Sequence, residues 1–165
     1  MKLESVSKAE AARYMGVRGI PDEKVSELLE RAEKLVIESV EPKYVYRFAN
    51  IEECENGIEI EETSILLTGN SIRSHLKECS RIVLFAATLS AEADKLIRQT
   101  AVENVALSLA VDCICSSAVE QVCGCVEEEI FSKIPETFRT WRYSPGYGDL
   151  PIELQSSLLK LLNAE

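Results

Sequence analysis

"KYVYRFANIEECENGIEIEETSILLTG" runs from Lys43 to Gly69. Its first part alternates aromatic or aliphatic residues with polar ones, the period of a strand with one buried face. Asn56-Gly57 supplies a turn, and a second strand-forming run follows it. Gly69-Asn70 is the next break. Beyond it, "SIRSHLKEC" (71–79) predicts a short helix. "SRIVLFAATLS" (80–90) predicts a buried strand, because it is β-branched and almost uncharged.

Helical patterns flank these strands. Ser7 can cap a short helix reaching Tyr14, with Glu10 three residues on as a capping-box partner. Gly16 or Gly19 ends it, and Pro21 follows. Val25, Leu28, Leu29, Ala32, Leu35 and Val36 then repeat at three-to-four spacing, which predicts an amphipathic helix with Pro21 and Asp22 in its first turn. After the uncharged strand, residues 91–134 hold no proline and predict one or two helices, with 101–133 the firmest part. Pro135 stops that run. "LPIELQSSLLKLLNAE" (150–165) predicts a last amphipathic helix. Helices and strands without a regular βαβ beat predict an α+β fold. The chain reads as a single domain over 1–165, with 1–41 as an N-terminal helical part.

The composition is that of a globular protein, 46% hydrophobic and 28% charged, with a net charge of -10. No two basic residues adjoin. Nucleic acid or an anionic membrane as main partner would demand a basic face, so neither is expected. No run reads as the roughly 20 apolar residues of a membrane span. The N-terminus lacks the apolar centre of a signal peptide. These features predict a cytoplasmic protein whose six cysteines are reduced thiols.

Cys113-x-Cys115 and Cys123-x-Cys125 look like metal motifs. On a helix, however, residues two apart project about 200° apart, so one helix cannot aim both at one metal. They read better as small packing residues. His75 is the only histidine and reads as a surface residue of a polar helix. Asp112 and Glu120 lie eight apart, on nearly one side of the long helix, in an otherwise uncharged stretch. They suit either a helix edge in water or carboxylates facing a ligand. No GxGxxG and no GxxxxGK[ST] supports a dinucleotide or P-loop site.

The stretch "RYSPGYGDLP" (142–151) is neither helix nor central strand. Arg142 offers a planar fork of donors for a carboxylate or phosphate. Gly146 and Gly148 permit positive φ or a close backbone approach. Tyr143 and Tyr147 can cover a flat ring. Pro145 and Pro151 lower the entropy cost of holding the loop. The loop is a candidate small-molecule site or a structured turn.

"RYSPGYGDLP" resembles the RxxxGY signature of the activation domain of vitamin B12-dependent methionine synthase, and more closely that of its small free-standing versions. "EAARYMGVRG", "LFAATLSAEADKLI" and "AVDCICSSAVEQV" resemble further segments of those versions, so the likeness runs from about Ala9 to Leu162. It implies a twisted antiparallel sheet with packed helices, and a C-terminal part shorter than the family's. It also implies S-adenosylmethionine binding in support of reductive methylation of cob(II)alamin, within the methyltransferase system of methionine biosynthesis. Arg142 matches the family arginine that contacts the ligand. Gly146 and Tyr147 match the residues lining the site, and Glu120 matches the glutamate facing the ligand's amino group. Cobalamin would enter only through a partner, a separate methionine synthase core or corrinoid protein, with a flavodoxin-type electron donor. From a different class, the chain could be an interaction module that kept the fold and lost the ligand.

Overall fold

The computed structural model describes residues 1–135 and 138–164. The chain forms two compact units, one of Met1–Tyr44 with Ala87–Ile134 and one of Val45–Ala86 with Pro135–Glu165.

The first unit is helical. It contains α1 (Lys8–Tyr14), α2 (Glu23–Ser39), α4 (Ala91–Glu103) and α5 (Val105–Ser132). Ser7 caps α1 by accepting from the Glu10 amide, as the sequence predicts. The reciprocal half of a capping box does not form: the Glu10 carboxylate pairs with Arg13 instead. Asp22 is the N-cap of α2 rather than part of its first turn, accepting from the Val25 amide at 2.9 Å. Residues 91–134 form two helices. Asn104 takes an extended backbone between them and caps α5 through Leu107 N.

Helices α1, α2 and α4 pack on α5. Small residues at the contacts, Ala11, Ala12, Ala32, Ala110 and Ala118, are fully or almost fully buried and let the backbones approach. Among the described residues, α5 is the one helix long and apolar enough to cross a bilayer, which corrects the reading that no run reaches that length. Here it is the core helix of its unit: Leu107, Val111, Ile114, Val122 and Val126 are fully buried. Its apolar side takes the packing of α1, α2 and α4, and an outer side at Leu109, Asp112 and Glu120 stays exposed. The segment before α1 is tied to this core by buried Leu3 and Val6, and by the Ser117 hydroxyl and Gln121 amide donating to the carbonyls of Ser7 and Ser5.

The second unit holds the sheet, apart from the strand ends Lys43–Tyr44 and Ala87–Thr88. The strands are β1 (Lys43–Cys54), β2 (Gly57–Ile60), β3 (Leu66–Leu67) and β4 (Arg81–Thr88), in the order β3-β2-β1-β4. β1 and β2 pair antiparallel around a two-residue turn at Glu55-Asn56, one residue before the predicted Asn56-Gly57, with Cys54 opposite Gly57, the first residue of β2. β2 and β3 also pair antiparallel, with Glu59 opposite Leu66. The run after Asn56 is thus two strands, because the Thr63 hydroxyl bonds both Ile60 O and Ile65 N and reverses the chain. With helices α3 (Asn70–His75) and α6 (Leu154–Leu162), this is an α+β architecture with an antiparallel sheet. Ile51, Ile58, Ile60, Ile65, Leu67, Ile72 and Leu150 form the unit's core. One sequence expectation changes: β4 is half-buried, not buried, and it stands at the sheet's edge.

Candidate functional site

The loop from Arg142 to Pro151 is a structured turn fastened to α3. Gly146 N donates to Leu150 O at 2.9 Å, Tyr147 N to Ser144 O, and Leu150 N to Tyr147 O. Leu150 enters the core of its unit, and Tyr143 packs against that core. The Tyr143 hydroxyl donates to Tyr147 O at 3.2 Å. Gly146 has φ +92° and Gly148 φ +55°, so the positive-φ role expected of both glycines is the one they play. A Cβ on Gly148 would also lie 2.5 Å from the Tyr143 hydroxyl and 2.6 Å from Ser71 Oγ.

Asp149 makes the second attachment. Its carboxylate accepts from the backbone amides of Asn70 (2.7 Å) and Ser71 (2.9 Å), capping α3 where Gly69 offers no side chain. The Ser71 and Asn70 amides, then the Ser71 hydroxyl, hold its carboxyl below the usual carboxylate range. Because the folded pKa is lowered, this docking is complete above the ordinary value of 3.8 and is lost as pH falls through the lowered one. The Asn70 and Ser71 amide resonances are therefore expected to shift in one acid step, absent from Asp149→Asn. A wild-type titration flat down to about pH 2 would remove the carboxylate from this role.

His75 lies under the loop rather than alone on a polar surface. Its ring is 4.8 Å from that of Tyr143 and 5.3 Å from that of Trp141. Tyr143 in turn meets Tyr147 edge-on at 6.2 Å. Four rings thus form one row, its exposed ends being Trp141 (76% exposed) and Tyr147 (64%). Trp141, His75 and Asp149 are parts of this site that sequence reasoning missed. The signal for Asp149 was a capless helix start at Gly69-Asn70, but nothing in the sequence pairs residues 79 apart.

Of the predicted site residues, Arg142, Gly146 and Tyr147 share this loop, and all three are exposed. Glu120 belongs to the other unit. Along α5, Leu109, Asp112 and Glu120 are exposed, so the two carboxylates lie on the helix's outer side and carry no cost of burial.

The cysteines are free thiols. Cys113 and Cys115 are buried on the continuous helix α5. Burial, and after it the charges of Asp112 and Asp94, pushes the Cys115 thiol up to about 12. Burial and then Asp112 raise Cys113. A protonated, buried thiol is a poor nucleophile and a poor metal ligand. Among the described residues, no cluster of three or more His, Cys, Asp or Glu is placed to hold a metal ion. An aromatic disulfide reagent should label exposed Cys125 quickly, and Cys113 and Cys115 only after unfolding. Fast native labelling of Cys115 would contradict the packing role.

No protein-family model matches the chain, and no curated protein matches it at a significant level.

Proposed function

We propose that the loop from Arg142 to Pro151 binds S-adenosylmethionine, and that the chain supports reductive methylation of cob(II)alamin held by a separate methionine synthase or related corrinoid methyltransferase. The supporting observation is the loop's construction. Two positive-φ glycines, an aspartate brace and a buried Leu150 hold Arg142 and Tyr147 at the surface on a stiff frame. Such preorganisation lowers the entropy cost of binding a small ligand. The ligand offers a carboxylate for the Arg142 guanidinium, and a sulfonium and sugar for the exposed Tyr147 ring. S-adenosylmethionine supplies the methyl group, the corrinoid partner accepts it, and a flavodoxin-type donor supplies the electron. This chain's residues bind and orient; none is required as an acid or a base. The working place of such a system is the cytoplasm.

A second reading draws on a specific feature: Phe138 and Trp141 are large, exposed aromatics beside the loop. Exposed aromatics mark interaction surfaces as readily as ligand sites, which suits an interaction module without a ligand. Calorimetric titration of the chain with S-adenosylmethionine, with S-adenosylhomocysteine alongside, separates the two. Saturable one-to-one binding supports the first reading. A folded chain that takes up neither ligand excludes it and leaves the second.

A further inference from the structure

The two edges of the sheet differ in kind. One is β3, only Leu66–Leu67. Very short edge strands are a usual protection against strand addition. The other edge is β4, eight residues long. Between Ile82 and Ser90 it has no charge and no proline, so the common chemical guards of an edge are missing. Among the described residues, no backbone hydrogen bond from outside the sheet reaches Arg81–Thr88. It is apolar and unguarded from Ile82 to Ser90, yet it has one strand neighbour.

We propose that β4 is an association edge, and that its occupant is β4 of a second copy of this chain, paired antiparallel about a two-fold axis. Ile82 and Leu84 pack toward the core of the unit, so Val83 and Phe85 project from the opposite face. A two-fold axis normal to the sheet keeps each face on its own side, and opposite residues must then share a face. Centred on Leu84, the pairing sets Val83 against Phe85 and Ile82 against Ala86. An aromatic facing a β-branched residue is a favourable cross-strand pair. The strand's one charge, Arg81, falls opposite Ala87, and no like charges meet. Parallel pairing in register would set the two arginines side by side. Because the far edge is only two residues long, a β4-to-β3 addition has little to hold it, so pairing closes at two copies instead of growing into a filament.

Sedimentation of the 165-residue chain from about 1 to about 200 µM tests this. The expected mass rises from that of one 18.4 kDa chain to twice that value. Val83→Lys should keep its circular dichroism and associate at least about tenfold more weakly, since a lysine guards an edge strand. Hydrogen exchange on the wild type gives a second readout that needs no variant. Amides within 82–86 should gain protection as concentration rises, while those of Ile58 and Glu59 in β2 do not change. A single-chain mass at every concentration overturns the proposal. So does a dimer whose β4 exchange is independent of concentration, because its interface then lies elsewhere.

Discussion

Gly69→Ala is expected to destabilise the unit that carries the loop by about 2 to 4 kcal/mol. Gly69 has φ +125° and ψ 151°, a region that only glycine occupies at low cost. A Cβ there would also stand 2.5 Å from Asp149 Oδ1 and 2.9 Å from Asp149 O. The carboxylate oxygen belongs to the brace on Asn70 and Ser71, and the carbonyl belongs to the loop backbone. Relieving the contact therefore means moving the loop off α3, with loss of both amide bonds. Gly124→Ala is the control. Gly124 lies inside α5, nothing stands within 4 Å of a Cβ added to it, and it should gain about 0.5 to 1 kcal/mol from helix propensity. Urea unfolding at unchanged m-value reads both changes. A Gly69→Ala midpoint equal to the wild type would show that the loop is not braced through this contact.

Arg142→Ala is expected to weaken S-adenosylmethionine binding by about 2 kcal/mol or more, roughly thirtyfold in Kd. The argument is one of chemistry and placement. Arg142 is exposed at the start of a loop whose backbone is held from both ends. A guanidinium engages a carboxylate through two parallel bonds, and lysine cannot reproduce that fork. Arg142→Lys should therefore recover only part of the loss. Tyr143 and Leu150 anchor the loop to the core, so the variant should keep the wild-type circular dichroism. Calorimetry on the two variants gives the answer. Equal affinity for wild type and Arg142→Ala would take Arg142 out of the ligand site.

The amphipathic period of residues 25–36, the Ser7 cap and, to within one residue, the turn before Gly57 were legible in the sequence because each is a local rule. Each depends on side chains within one or two turns of the residue concerned. So too was the character of "RYSPGYGDLP": positive φ at Gly146 and Gly148 follows from what glycine alone permits. The burial of β4 was overestimated, because composition reports how apolar a strand is and not what covers its two faces. The same composition read α5 as a helix without saying that its length and apolarity match those of a membrane span. Its place at the centre of α1, α2 and α4 accounts for that apolarity.

Local sequence was enough for the kind of most elements and for the character of the loop at 142–151; it missed the break at Asn104 and the division of the run after Asn56 into two strands. The kind of an element and the character of a loop depend on backbone sterics and on side-chain periods within a single element. What the loop rests on follows from contacts between distant parts of the chain. Asp149 reaches Asn70 and Ser71 across 79 and 78 positions of chain, and His75 lies against Trp141 and Tyr143. The edge position of β4 likewise follows from the order of strands in the sheet. Such pairings are set by how a whole unit buries its apolar surface, and no window of neighbouring residues carries that information.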